Sequence, residues 1–267
     1  MVTRAARRRG AACLALVLLW AGRACAAAWN QPAGGGLVIL DVTRGTGTTY
    51  FDGGGKLAPA RAYAKEELAA YVEYGLTDDL TLVARPSLDR VDLGAPGAGR
   101  YGTLGRTDVG AQWQALVFGP AVLAVQGSFG LPGAGLPHDP AFAGDRVRDV
   151  DLRALGGVGL PLPLQPFVDL QGSFRYRSGG APSEWHGDVT MGFHPTDRLL
   201  LLAQSFSRVP TGRSDVRFGR SRATDLGLKG VYRLTPTWFI AVGASATASG
   251  RDALRERSLS TGLWHTF

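Results

Sequence analysis

Thiols and long apolar runs are scarce in this chain of 267 residues, and each scarcity removes a class of function. The two cysteines, Cys13 and Cys25, both lie within the first 28 residues. Once that segment is cut away, no disulfide, catalytic thiol or thiolate metal site is possible. Beyond residue 22 no stretch approaches the roughly 20 consecutive apolar residues that a membrane helix needs, which excludes a helical membrane protein. The four histidines, His138, His186, His194 and His265, are scattered and form no His-x-x-x-His pair. No metal site is expected from them. Long helical periodicity is nearly absent as well.

What the front of the chain does have is the layout of a secretory signal. Arg4, Arg7, Arg8 and Arg9 precede an apolar run from Ala11 to Gly22, and Ala24-Cys25-Ala26-Ala27-Ala28 supplies small residues for cleavage. Residues 1–28 are therefore expected to be a signal peptide and residues 29–267 the mature domain. Lipidation of Cys25 is the alternative, disfavoured by Arg23 where small apolar residues should stand. The chain has 29 basic and 22 acidic residues, but five of the arginines lie in this segment with no acid beside them. The mature part is close to neutral and keeps no basic helix or stripe, so nucleic-acid binding loses its support.

The remaining chain reads as β-strands. Runs with period-two alternation bounded by turn residues fall at 36–50, 60–76, 80–92, 104–117, 121–131, 148–160, 165–177, 184–194, 198–210, 218–234, 236–249 and 256–267. The stretch 60–70 is rich in helix formers, yet Leu68, Ala70, Val72, Tyr74 and Leu76 alternate with Glu67, Ala69, Tyr71, Glu73 and Gly75, and period two wins. Links after even-numbered strands are tight, such as Thr77-Asp78-Asp79, Phe118-Gly119-Pro120, Leu162-Pro163-Leu164 and Pro195-Thr196-Asp197. Those after odd-numbered strands, including Phe51 to Pro59, Leu93 to Thr103, Pro132 to Val147 and Thr211 to Arg217, are longer and richer in Gly, Pro and charge. A soluble β-sandwich would give similar alternation but has no reason to sort its loops by parity. Outer-membrane barrels do, with short periplasmic turns and longer external loops. The fold expected is a single all-β antiparallel transmembrane β-barrel of about 12 strands.

One face of each strand suits lipid and the other a polar lumen. Trp238, Ile240, Val242, Ala244 and Ala246 share a face, as do Trp185, Val189, Met191 and Phe193. Strand nine resists assignment, because Leu199 to Leu202 is apolar on both faces. Trp113, Phe118, Phe193, Trp238, Trp264 and Phe267 fall near periplasmic strand ends, where an interfacial aromatic girdle is expected. The chain stops on Phe267, which shares a face with Leu259, Thr261, Leu263 and His265. Gly262, Leu263, His265 and Phe267 are read as an assembly signal for the barrel-assembly machinery.

The segment from Tyr63 to Leu82, with Tyr74-Gly75-Leu76-Thr77, an acidic turn and Leu80-Thr81-Leu82, resembles the second and third strands of transporter-like proteobacterial outer-membrane barrels. That group is poorly characterised and is often labelled by a phenol-degradation pathway. The opening Ala28-Trp29-Asn30-Gln31-Pro32 and Gly36 are also similar, and the resemblance covers roughly residues 28–90. It implies an outer-membrane location in a Gram-negative bacterium and a transport role, with no established substrate and no catalytic residues to carry over.

The charges expected in the lumen are Glu73, Arg85, Asp89, Arg106, Asp108, Asp149, Asp151, Arg153, Asp169, Arg175, Glu184, His186, Asp188, Asp225 and Lys229. They read as ion pairs that substitute for a hydrophobic core. Glu184, His186 and Asp188 could form an acid/base set, but alternating charges facing a lumen explain them without catalysis. Phospholipase barrels use Asn, His and Ser on the outer wall, whereas here the single asparagine is Asn30. Gly53-Gly54-Gly55-Lys56 lacks the strand-to-helix context and the Ser or Thr of a phosphate loop. Gly156, Gly157 and Gly159 mark close approach within a strand. No enzyme and no cofactor is expected. Arg213, Arg217, Arg220 and Arg222 form the densest basic set, able to meet lipopolysaccharide phosphates or to act as a salt-bridged rim. A pore for small solutes and a closed structural or surface-interaction barrel both satisfy this sequence.

Overall fold

The computed structural model describes residues 28–92, 100–133, 147–212 and 219–267. The signal segment expected at 1–28, except Ala28, and the rim residues Arg213 and Arg217 lie outside the described residues. The described chain is all β, a single closed antiparallel barrel of twelve strands. We number them β1 (Gly36–Phe51), β2 (Leu57–Gly75), β3 (Leu80–Arg85 and Ser87–Asp92), β4 (Arg100–Leu104 and Thr107–Phe118), β5 (Ala121–Leu131) and β6 (Asp149–Gly159). The second half is β7 (Phe167–Arg177), β8 (Ser183–Thr196), β9 (Leu199–Thr211), β10 (Arg222–Arg233), β11 (Trp238–Arg251) and β12 (Ala253–Leu254 and Arg257–Thr266).

Each strand pairs with its sequence neighbours, and β12 pairs back onto β1 from Leu37 opposite Thr266 to Thr46 opposite Arg257. Closure gives each of the twelve strands a partner on both sides, which disposes of the pairing hazard of an open sheet. The start of β1 and the end of β12 lie together at what we call the near end, with the tight connections around 76–79, 119–120, 197–198 and 234–237. At the far end lie the described links 52–56 and 178–182 and the turn at Asp252.

The interruptions have local causes. Pro86 has no N–H to give the ladder, and its carbonyl instead accepts from Ala70 N at 3.0 Å. Across from it Gly105 N donates to Ser87 O at 2.9 Å, so β3 and β4 break together. The link between β6 and β7 is longer than the expected turn at 162–164. Pro161, Pro163 and Pro166 cannot donate, the ladder stops at Gly159 and resumes at Phe167, and Leu164 and Gln165 take φ of 68° and 46°. β11 begins at Trp238 rather than 236 because Thr235 Oγ1 accepts from Thr237 N and Trp238 N at 3.3 and 3.0 Å and holds a turn there.

Alternation along the ladder sorts side chains into two walls. Leu82, Trp113, Leu152, Leu228, Val242 and Leu259 all lie exposed on the outer wall. Leu200 and Leu202 of β9 are buried inside, which fixes the register that the sequence leaves open and puts Leu199 and Leu201 outside. Trp264 corrects the girdle expected from the sequence: it is 3% exposed and packs inside the barrel, on the face opposite Leu263 and Phe267. Trp113, Phe118, Phe193, Trp238 and Phe267 are exposed.

Candidate functional site: the lumen

The near end of the lumen has an apolar floor. Leu37, Ile39, Phe167, Leu200, Val231 and Trp264 form one buried cluster, and Val122, Ala124 and Leu155 join Ala28 in a second. Trp29 packs against both. This corrects the expectation that ion pairs wholly replace a hydrophobic core: they do so only above the floor.

Trp29 belongs to a strap, residues 28–33, that folds back into the barrel before β1 begins. Its backbone cannot reach a ladder, so wall side chains satisfy it, as buried backbone groups require. Ala33 N donates to Asp78 Oδ1 at 3.0 Å, Gln31 N to Thr81 Oγ1 at 3.0 Å, Asn30 N to Gln114 Oε1 at 3.2 Å and Ala28 N to Asp169 Oδ2 at 2.9 Å. Side chains add Gln31 Nε2 donating to Glu73 Oε2 at 2.7 Å and Gln112 Nε2 to Asn30 Oδ1 at 3.0 Å. Glycines make the room. A Cβ on Gly75 would collide with Pro32 O, and one on Gly157 would lie 2.6 Å from the Trp29 ring. The Trp29 ring meets Phe167 edge-on, 6.2 Å between centroids.

Toward the far end the wall becomes a ladder of alternating charge. It begins with Asp108, bound by Arg106, which also grips Asp149. Arg175 then bridges Asp149 and Asp151 at 3.8 and 3.3 Å, and Arg153 bridges Asp151 and Asp188 at 3.5 and 2.7 Å. Arg177 holds Glu184 at 2.7 Å, with His186 Nε2 3.1 Å from the other carboxylate oxygen. On the opposite wall Lys65 pairs with Glu67 and Asp89 at 2.8 and 3.3 Å, Arg85 reaches Glu67 at 3.4 Å, and Lys229 meets Asp41 at 3.0 Å. Thr247 Oγ1 donates to Asp225 at 2.7 Å. Period two carries all of these inward, because each lies on the strand face opposite the exposed apolar residues.

The charges named from the sequence do two jobs. Glu73 and Asp169 form no ion pair among the described residues, although the Arg153 charge acts on Asp169, and both are nearly inaccessible, at 2% and 1% exposure. They hold the strap, Glu73 with help from Tyr71 OH at 2.7 Å and Asp169 from Gln171 Nε2 at 2.7 Å. The other thirteen belong to the charged wall. Sequence reasoning missed Asp41, Lys65, Glu67 and Arg177, although the same period-two count that found Glu73 and Arg175 would have found them. It also missed the strap's partners Thr81, Gln112 and Gln114, for which neutral side chains give no signal. Among the described residues no group of His, Cys, Asp and Glu could hold a metal ion. Arg220 and Arg222 lie exposed at the far end.

Arg106 is the ladder's most exacting member. Its loss leaves the buried Asp149 with Arg175 alone at 3.8 Å. Breaking such a pair from one side costs about 3–5 kcal/mol. Arg106→Ala is therefore expected to lower the urea midpoint of the barrel markedly, whereas Arg44→Ala, whose partner Glu66 is 3.8 Å away in an exposed pair, is expected to leave it nearly unchanged. Equal midpoints for the two variants would contradict the ladder.

No family model and no curated protein sequence matches the chain. Solved structures do. An outer membrane channel from Pseudomonas putida F1 superposes with a TM-score of 0.75 at 16% identity, covering 90% of this chain and 97% of the channel. The NanC porin follows with a TM-score of 0.56 at 9% identity over 85% of this chain and 98% of the porin. The translocator domain of the autotransporter NalP from Neisseria meningitidis gives a TM-score of 0.56 at 16% identity, over 89% and 90% of the two chains. At these identities what is shared is the barrel fold.

Proposed function

We propose that this chain is an outer-membrane channel for small solutes, closed at its near end by its own strap. The observation that carries the reading is how the strap fits. The wall leaves a hole that Gly75 and Gly157 keep clear, and it offers there two buried carboxylates whose partners include a removable segment rather than a base. A barrel built only as a scaffold would fill that hole with wall side chains, as small barrels do. The outer wall supports the location: a belt of exposed apolar residues this extensive is far beyond the patches a soluble monomer leaves in water. The likeness to a bacterial outer membrane channel points the same way, as does the resemblance of residues 63–82 to the transporter-like group labelled by phenol degradation.

The rest of the reading follows from that location. The near end faces the periplasm of a Gram-negative cell, the segment preceding the strap directs export, and the C-terminal strand engages the assembly machinery. Arg220 and Arg222 meet lipopolysaccharide at the outer rim. No catalysis is assigned, since Arg177 and His186 together occupy Glu184. Lipid turnover that vanished in His186→Ala would overturn this point.

The packing of Trp29 into the floor favours a second reading, a permanently closed barrel. Uptake of a small uncharged sugar into liposomes decides between them. Protein lacking residues 28–33 is expected to admit the sugar at least several-fold faster than the intact protein. No uptake by either would leave the closed barrel.

A further inference from the structure

The residue from which the strap hangs is Ala28, and its surroundings are unusual for a backbone amide. Ala28 is fully buried among Val122, Ala124 and Leu155, and its nitrogen donates to Asp169 Oδ2 at 2.9 Å. Asp169 itself is 1% exposed. Its other carboxylate oxygen accepts from Gln171 Nε2 at 2.7 Å, and among the described residues no lysine or arginine forms an ion pair with it. A carboxylate taken out of water whose direct donors are neutral, with the Arg153 charge acting on it only from beyond Gln171, is costly; a cation in direct contact would offset that cost.

We propose that the signal peptide is cut between Ala27 and Ala28, and that the α-ammonium group so created is the missing cation, docked on Asp169. The sequence permits four cuts, since small residues stand one and three positions before the scissile bond after Ala24, the cut that precedes Cys25, and after Ala26, Ala27 and Ala28. A cut after Ala24 would place the ammonium further still from Asp169 than one after Ala26. The geometry separates them. A cut after Ala28 would remove the methyl group that fills the second cluster and the donor that Asp169 receives. A cut after Ala26 would carry the ammonium about 3.8 Å further along the chain and leave a neutral amide on the carboxylate. Only the cut after Ala27 brings charge to charge. The reaction is amide hydrolysis: water adds across the Ala27–Ala28 bond, Ala27 leaves as a carboxylate and Ala28 as an amine that takes up a proton. Export processing thereby makes the group that fastens the strap. The precursor holds Asp169 only by a neutral amide, so processing strengthens the strap's fastening.

This inference rests on the export reading of the segment preceding the strap, and one experiment separates the two. The full precursor is expressed in a Gram-negative host, the barrel is purified from outer membranes, and its intact mass is measured. The mass expected is that of the chain from Ala28 to Phe267. A chain beginning at an unlipidated Cys25, at Ala27 or at Trp29 would overturn the proposed cut while leaving export intact, and an uncut chain or one lipidated on Cys25 would overturn the export reading as well. The folded protein is then treated with an amine-acylating reagent at neutral pH, with Lys56 in its exposed turn as the reactive reference. The α-amine is expected to react at least about tenfold more slowly in the folded than in the urea-unfolded protein, as a group reached only through local opening does. Equal rates would overturn the docking. In Asp169→Asn, checked for folding by heat-modifiable migration, the folded α-amine is expected to regain most of its reactivity; protection equal to that of the wild type would show that Asp169 does not hold it.

Discussion

Deleting Phe267 is expected to lower the yield of folded, heat-modifiable barrel in the outer membrane by at least about 30-fold, the factor that about two kcal/mol sets. Phe267 closes the ring. Its backbone N donates to Gly36 O at 3.1 Å and its carbonyl accepts from Gly36 N at 2.9 Å, the last rung between β12 and β1. Its ring stacks on His265 at 5.9 Å, and His265 packs on Trp238 at 4.3 Å. Two backbone hydrogen bonds at about 1 kcal/mol each and an aromatic contact of roughly 0.5–1.5 kcal/mol disappear together. Gly36 is shaped around that ring, since a Cβ there would collide with it. In hydrocarbon a frayed rung is worse than in water, because each orphaned backbone group costs several kcal/mol. A deletion at Phe142, in the long link outside the described residues, is the control. Equal folded yields from both changes would mean that the terminal aromatic is incidental to assembly.

The second large effect is expected at the floor. Trp29→Ala should cost about 3 kcal/mol of barrel stability, the lower part of the range for truncating a buried tryptophan, because its ring touches both apolar clusters. Gly157→Val attacks the same contact from the wall, since any Cβ at 157 enters the space of the indole. The two changes should be strongly non-additive, as residues in contact are. In a barrel already lacking residues 28–33, Gly157→Val is expected to cost almost nothing. Urea titrations of the two single variants and the double variant check this. Additive costs would show that Trp29 and Gly157 do not meet.

How far the sequence discloses this molecule depends on the periodicity of each part. Strands with period two, and loops sorted by length on alternate links, disclose the barrel and its twelve strands. The charged wall is legible for the same reason, since Glu184, His186 and Asp188 or Asp149, Asp151 and Arg153 can share a face only if spaced by two. The strap was not legible. Residues 28–33 have no period, and their partners Gln112, Gln114 and Thr81 are neutral wall residues that resemble any others. One clue was present in Leu199 to Leu202, apolar on both faces. Such a stretch has no place in a barrel whose interior is polar throughout. It fits an apolar floor, as do Phe239 and Trp264 on the inward faces of the last two strands. Trp264 stands near a strand end, as a girdle residue would, but Leu263 and His265 flank it on the outer face, so parity turns it inward.

The most direct test is single-channel recording in planar bilayers, with the intact mature protein and the protein lacking residues 28–33 measured side by side. Removing the strap takes the Gln31 donor from Glu73 and the Ala28 donor from Asp169, leaving only Tyr71 and Gln171. It exposes two carboxylates to the opened lumen, while the neighbouring charges stay paired. The intact protein is expected to rest mostly closed. The shortened protein should give steady openings several-fold larger, with a reversal potential that favours cations and moves toward zero when Glu73→Gln and Asp169→Asn are added. The same conductance and selectivity with and without the strap, or silence from both, would contradict a channel closed by its own N-terminal segment.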